Sequence, residues 1–256
     1  MTISGIDLKK LSEEELSVLY TQARYCQAMT DADIDTMREI VSEDMVFTHR
    51  LVDAAMVLLL PLMMAYSLIG EAFHEFAGTL ILLLFLAHHW LNRAWLKNLF
   101  RGKYTALRSF QTCLNLLLLV FMIVQPLCGI LMSKHLYTFL PTEGLSSLAR
   151  AVHLPLANWG FVLMCLHAGM HLGSMLPKDS GKKAVLIPLG AVSLYGVYAF
   201  FKRQIPKYMF LKLPFVFFDY GEPFVFFLLD YFSIMILFAM VGYGVTRLLT
   251  KKRNKK

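Results

Sequence analysis

Four histidines lie in two long apolar runs with the same spacing. His74 and His88 are 14 positions apart in one run, and His153 and His167 are 14 positions apart in another. An ionisable side chain within an apolar run is costly and is therefore a candidate functional residue. Fourteen residues of α-helix advance about 21 Å and return to within about 40° of the starting direction. Each helix would then carry two imidazoles on one face, one near each surface of a hydrocarbon core about 30 Å thick.

Two helices of this kind could clamp two haems, one above the other. Bis-histidine ligation needs one imidazole on each side of a haem, at the same depth, on facing helices. One apolar run separates the two that carry the histidines, so these two run in the same direction. His74 is then level with His153 near the outer face of the membrane (the outer site), and His88 is level with His167 near the inner face (the inner site). We predict two haem b groups with these four histidines as the iron ligands.

Small residues support this prediction, because they let a macrocycle approach the backbone closely. Gly160 lies midway between His153 and His167, and Gly78 follows His74 by one helical turn. We therefore include Gly78 and Gly160 among the cofactor-binding residues. Gly129, in the intervening run, could serve in the same way.

The inner site has alternatives. His171 follows His167 by four residues on nearly the same face, and His89 is rotated by about 100° from His88. We favour His88 and His167 because they keep the paired spacing, with His89 and His171 as second choices. Basic residues near each end could neutralise haem propionates or simply contact lipid headgroups. They are Arg93, Lys97 and Arg108 at the inner end and Lys134 and Arg150 at the outer end.

The composition indicates a polytopic membrane protein. Of 256 residues, 57% are hydrophobic, and the mean hydropathy is +0.55, which is too apolar for a soluble domain. Six apolar segments cover residues 51–70, 73–91, 110–132, 151–175, 184–201 and 223–249. Helices are expected because lipid offers no partner for unpaired backbone groups. We predict an all-α integral membrane fold of about six transmembrane helices, with a four-helix, cytochrome b-like haem-binding bundle.

Three regions follow from this pattern. Residues 1–49 are predicted to be a cytoplasmic amphipathic leader, 50–176 the core haem-binding bundle, and 177–256 the C-terminal membrane segments and a basic tail. No secretory signal peptide is visible. Within the leader, Tyr25-Cys26-Gln27-Ala28-Met29 and Asp31-Ala32-Asp33 resemble part of the opening helices of the SnoaL-like, NTF2-related fold. Such a fragment cannot enclose a pocket, so it implies no ligand or activity.

Basic residues predict the orientation. The formal charge is +7, and it gathers in the loops 92–108 and 176–183 and in the tail 251–256. This distribution is typical of membrane orientation and does not indicate nucleic-acid binding. With six spans, these regions and both termini lie on the cytoplasmic side. The loop 202–212 departs from the pattern, because its four basic residues would lie outside.

Acidic residues allow a different function. Asp53 and Asp230 are intramembrane acids, and with the histidines they could form a proton relay. The alternative prediction is therefore a haem-free transporter or proton-conducting protein. Glu71 and Glu75 are expected to face water at the outer surface.

Several motifs match one family. The run His74-Glu75-x-x-Gly78, His88-His89-x-x-Asn92-Arg93-x-Trp95 and Gly102-Lys103-Tyr104 resembles the flavinylation-associated cytochrome family. Trp159-Gly160-Phe161, His167-x-x-x-His171 and Lys202-Arg203-Gln204-Ile205-Pro206 fit the same family.

This resemblance implies a function for the chain. It implies a b-type membrane cytochrome of the bacterial inner membrane that passes electrons across the bilayer to extracytoplasmic, FMN-bearing proteins. The electron donor could be a quinol or another donor in the membrane. The chain would be an electron-transfer subunit of a membrane oxidoreductase system, not a self-contained enzyme.

Overall fold

Helices form almost all of the described structure. In this computed structural model, residues 2–3, 6–7, 43–100, 103–142, 144–176 and 181–253 are described. Two short strands, β1 (Thr2–Ile3) and β2 (Ile6–Asp7), pair antiparallel near the N-terminus. Nine helices follow among the described residues. They are α1 (Glu43–Met63), α2 (Tyr66–Ile69), α3 (Glu71–Leu91), α4 (Arg93–Lys97), α5 (Ala106–Leu131), α6 (Ser146–Met175), α7 (Gly181–Lys202), α8 (Ile205–Met209) and α9 (Phe224–Arg253).

The protein is a multi-pass membrane protein. The five helices α3, α5, α6, α7 and α9 are long and apolar enough to cross a bilayer. Large apolar side chains on their outer faces are more than half exposed, including Leu83, Val120 and Leu194. Such a surface suits lipid, since lipid solvates apolar side chains that water would not. The prediction of an all-helical membrane fold is confirmed to this extent, with the N-terminal strand pair as an addition.

The first predicted segment, 51–70, differs from its prediction. Helix α1 begins at Glu43, inside the predicted leader, and ends two residues beyond Pro61. Gly70, with a φ of 88°, then separates the single turn α2 from α3. Because α1 also carries Arg50 and Asp53, it is less uniformly apolar than the five spans. The predicted count of six spans stays a prediction, and most of the leader lies outside the described residues.

The helices pack in two groups that share α6. One group is α1, α3, α5 and α6, and the other is α6, α7 and α9. Helix α3 packs along α1, α6 packs along α5, and α9 packs along both α6 and α7. The α6–α9 crossing is very close, because a Cβ atom added at Gly169 would lie 2.0 Å from the carbonyl oxygen of Ala239. Glycines are typical where membrane helices meet this closely. Helix α6 therefore packs against α9 on one face, and its histidines meet those of α3 on another.

Candidate functional site

The structure brings together the two histidines predicted for the outer site. The ring centroids of His74 on α3 and His153 on α6 are 6.3 Å apart, with planes inclined by 67°. We call these residues the first pair. Both side chains lie about two turns or less from the start of their helices, so the pair occupies one end of the bundle.

The two histidines predicted for the inner site also meet. The ring centroids of His88 and His167 are 6.5 Å apart, with planes inclined by 78°. We call these residues the second pair. Because the first pair joins the beginnings of α3 and α6 and the second pair joins later positions, the two helices run in the same direction. The parity of the intervening span predicted this arrangement.

Both pairs have the spacing of imidazoles that share one metal ion. An imidazole nitrogen binds a metal at about 2.0–2.1 Å, and the ring centroid lies about 1.2 Å behind that nitrogen. Two imidazoles on opposite sides of one ion therefore have centroids about 6.4 Å apart. The observed distances of 6.3 and 6.5 Å agree with this value. Aromatic rings in direct contact also have centroids about 4.5–7 Å apart, and those of Tyr137 and Phe139 lie 6.4 Å apart.

Hydrogen bonds orient three of the four imidazoles through the same ring nitrogen. The Nδ1 of His88 lies 2.9 Å from Oδ1 of Asp53 on α1. The Nδ1 of His167 lies 2.8 Å from Oδ1 of Asn115 on α5. The Nδ1 of His153 lies 3.2 Å from the carbonyl oxygen of Gln125 on α5.

These contacts determine which nitrogen can act as a ligand. An oxygen acceptor requires Nδ1 to carry the proton, so the lone pair of the neutral ring is on Nε2. Metal-binding histidines commonly donate their other N–H to a carboxylate or carbonyl in this way. In contrast, Nδ1 of His74 is buried without a hydrogen-bond partner among the described residues. The His74 ring instead meets Tyr66 edge to face at 5.2 Å.

The second-choice histidines contact their own helices. Nδ1 of His89 lies 3.0 Å from the carbonyl oxygen of Phe85, one turn earlier in α3. The ring of His171 lies 5.1 Å from that of His167, its neighbour in α6. Among these four side chains, His88 and His167 form the inter-helix pair with metal-sharing spacing.

The glycines have different surroundings. A Cβ atom added at Gly129 would lie 3.8 Å from Cε1 of His153, so the absent side chain leaves space beside that ring. At Gly160 the nearest groups are Met164 and Phe121, at 3.9 and 4.0 Å. At Gly78 the nearest group is Met63 of α1, at 3.3 Å. Gly129 is therefore the glycine closest to an imidazole, and Gly78 chiefly permits packing of α3 on α1.

Three of the five predicted propionate-binding cations make local contacts: Arg93, Arg108 and Lys134. Arg108 donates to the carbonyl oxygens of Asn98 and Lys103, at 2.9 and 3.3 Å. Arg93 donates to the carbonyl oxygen of Trp90 at 3.1 Å. Lys134 forms an ion pair of 2.9 Å with Glu71. These contacts order the loops at the two ends of the bundle.

Glu75 has a structural role that its sequence position did not indicate. Its carboxylate accepts hydrogen bonds from the backbone N–H groups of Lys134, His135 and Leu136, and from the Ser133 hydroxyl at 2.6 Å. Successive N–H groups of a turn form a concave anion-binding site. The expectation that Glu75 simply faces water is therefore wrong. It fastens α3 to the segment after α5, next to the first pair.

Asp230 lies in an ionic cluster away from the histidines. Its side chain is 1% exposed and contacts Lys202 and Arg203 at 2.8 and 2.7 Å. The Tyr195 hydroxyl donates to it at 2.5 Å. Glu222 contacts the same two cations, at 3.1 and 2.6 Å. The two carboxylates and two cations balance in charge, and we call these four residues the ionic cluster.

Sequence reasoning missed the residues that orient the imidazoles. The sequence shows Asp53 as an intramembrane acid and Asn115 as an amide in an apolar run. It does not show that they contact His88 and His167. The Gln125 contact uses a backbone carbonyl and has no sequence signal. Comparisons with protein-family models, curated proteins and solved structures found no match for this chain.

Proposed function

We propose that this protein is a b-type dihaem membrane cytochrome that carries electrons across the bilayer. The observation that carries the proposal is the pair of inter-helix imidazole contacts at 6.3 and 6.5 Å. They are separated by 14 residues on each helix, which corresponds to about 21 Å of helix axis. Two redox centres at this separation would divide the crossing into shorter steps.

The donor set favours a macrocycle over a bare metal ion. Among the described residues, no group of three or more His, Cys, Asp or Glu side chains could hold a metal ion. Two imidazoles leave the remaining coordination positions to another ligand, and a haem supplies four nitrogens in one plane. A haem bound between two such imidazoles would supply one-electron, ferric–ferrous chemistry. The protein's part is to supply two neutral imidazoles, orient them and keep water away.

The oriented imidazoles would also tune the two sites differently. At the second pair, Asp53 increases the electron density of His88 through its hydrogen bond, and its negative charge favours ferric iron. At the first pair, the Nδ1–H of His153 donates to the carbonyl oxygen of Gln125, which carries no net charge. The first site should therefore have the higher reduction potential.

The family resemblance supplies the proposed setting. It supports a bacterial inner-membrane location, cytoplasmic termini, and a flavinylated extracytoplasmic protein as electron acceptor. The first pair would then be nearer the outer surface, and the second pair nearer the cytoplasm. The donor could be a quinol or another membrane reductant.

Alanine variants of the four histidines test the proposal. His74→Ala or His153→Ala should lower the haem content from two per chain to one, and so should His88→Ala or His167→Ala. His89→Ala and His171→Ala are the matched controls and should retain two. If all four ligand variants keep two haems, the ligand assignment is wrong.

One contact favours the alternative, a haem-free proton relay. His88 and Asp53 form a 2.9 Å contact between two titratable groups in the membrane region. A proton relay would need further titratable groups that continue from this contact through the bundle. The ionic cluster around Asp230 is separate from it, between α7 and α9. Absence of haem from protein expressed with ample haem would favour this alternative.

A further inference from the structure

A cavity lies beside the ionic cluster at the same end of the bundle as the first pair. It has a volume of about 350 Å³ and opens to the surface between α8, the following loop and the start of α9. Helix α7 ends here at Lys202 and α9 begins here at Phe224, and Phe161 of α6 contacts the cavity residue Tyr231. Pockets for small organic ligands commonly start at about 300 Å³.

The cavity is lined by aromatic and polar side chains. The aromatic members are Tyr208, Phe217, Phe218, Phe227 and Tyr231. The polar members are Lys202, Arg203, Gln204, Asp219 and Glu222. Lys202 and Arg203 pair with Asp230 and Glu222, and Asp219 adds a further carboxylate to the lining, so the polar side chains carry no excess of positive charge. The cavity therefore offers hydrogen bonds to a neutral group and little attraction to an anionic one.

Unusual backbone geometry also marks this place. In the described part of the chain, Gln204 and Leu211 are the non-glycine residues with positive φ, at 55° and 52°. They flank α8, and Gln204 lines the cavity. Left-handed backbone at such residues is costly and persists where the surroundings fix it. Here α8 is fixed by the Trp159 indole N–H, which donates to the carbonyl oxygen of Met209 at 3.0 Å.

The cavity is next to an apolar surface that suits the bilayer. Phe215, Phe217 and Phe226 are 60%, 74% and 55% exposed. A ligand dissolved in the membrane could therefore reach the cavity from the lipid. A flat head would lie between aromatic rings, and a hydrocarbon tail would stay in the bilayer.

We propose that this cavity binds the head group of a quinone or quinol. Ring oxygens would accept hydrogen bonds from the Gln204 amide N–H and the Tyr208 hydroxyl, whose own oxygen accepts from the Phe217 backbone N–H at 3.3 Å. The Phe217 side chain would cover the ring. One helix, α6, separates the cavity from the first pair: His153 faces α3, whereas Trp159 faces α8. The redox meaning of the site rests on the proposed function, in which a ring bound at this outer end would exchange electrons with the first pair alone. Binding itself does not rest on it.

Titration of the full-length protein in nanodiscs with decylubiquinone tests the site. Saturable quenching of tryptophan fluorescence reports binding, because Trp159 contacts α8 and lies 5.6 Å from Phe210. We expect Tyr208→Phe and Phe217→Ala each to weaken binding at least fivefold. Phe215→Ala, a similarly exposed ring of the same loop that does not line the cavity, should bind like the wild type.

Three outcomes would overturn the proposal. They are the absence of saturable quenching, equal affinity of the Phe217→Ala and Phe215→Ala variants, and displacement of decylubiquinone by added phosphatidylglycerol. The last would assign the cavity to a lipid head group. The His153→Ala variant separates this proposal from the haem proposal, since it should still bind decylubiquinone. Quenching in a wild-type protein that contains no haem would refute the proposed function and leave this site standing.

Discussion

At the scale of single residues, the contacts to Nδ1 are the most informative. They were not predictable from the sequence, because helix spacing gives the depth of a side chain but not the partner on another helix. His88 and His167 differ in what they contact: a carboxylate at His88 and a neutral amide at His167. This difference can be tested by exchanging the two acceptors.

Asp53→Asn should raise the midpoint potential of the second-pair haem by tens of millivolts. The change removes a negative charge and a strong acceptor, both of which favour ferric iron, and 59 mV corresponds to a tenfold change for one electron. Potentiometric titration of the haem absorbance measures it. Asn115→Asp is the mirror variant and should lower the same potential. Shifts of the same sign in both variants would contradict the assigned contacts.

Glu75→Ala should reduce thermal stability. The variant leaves three backbone N–H groups without their acceptor, and hydrogen bonds to a charged group contribute about 1.5–3 kcal/mol each. Glu71→Ala is the control one turn earlier, where the variant loses one hydrogen bond from the Tyr66 hydroxyl and an exposed ion pair with Lys134 that contributes about 0–1 kcal/mol. Thermal unfolding in detergent compares them. A larger loss in Glu71→Ala than in Glu75→Ala would show that the turn after α5 does not depend on Glu75.

At the scale of elements, the histidine helices could be predicted well and their neighbours less well. The 14-residue spacing and the single intervening span predicted that His74 meets His153 and that His88 meets His167, and the structure places them so. The ends of α1 could not be predicted, because charged residues continue into the helix that begins at Glu43. The close helix crossings at glycines could not be predicted either, because a glycine looks the same in the sequence whether it lies at a helix crossing or faces lipid.

Gly242→Ala should destabilise the bundle, whereas Gly244→Ala should not. A Cβ at Gly242 would lie 2.2 Å from the carbonyl oxygen of Leu166, but at Gly244 nothing lies within 4 Å. Overpacking of this kind costs about 1–3 kcal/mol, and alanine at an open helical site gains up to about 1 kcal/mol. Both residues are in α9, so comparing the thermal unfolding of the two variants measures the effect of the close contact with α6. Equal stabilities would mean that α6 and α9 do not meet closely there.

At the scale of the whole molecule, the described structure explains one exception in the charge pattern. The loop after α7 is basic, although topology places it opposite the other basic regions. Lys202 and Arg203 are paired with Asp230 and Glu222, so two of the four basic residues carry no net charge to that surface. The positive-inside pattern then depends mainly on the remaining loops and the tail.

The number of crossings determines the position of the two termini. Helix α1 runs antiparallel to α3, since His49 contacts Leu91 and Met63 lies beside Gly78. With the turn α2 added, this first segment covers the length of α3, which predicts six crossings and both termini in the cytoplasm. Green fluorescent protein fused to either terminus should fluoresce, and alkaline phosphatase inserted after Gly144 should be active. Opposite sides for the termini would indicate five crossings.

The haem content of the purified protein tests the central claim most directly. A dithionite-reduced minus oxidised spectrum identifies the haem type, and a pyridine haemochrome assay gives the number of haems per chain. The two imidazole pairs predict a b-type spectrum and two haems per chain. Protein that contains no haem, although made with ample haem supply and correctly inserted in the membrane, would contradict the account.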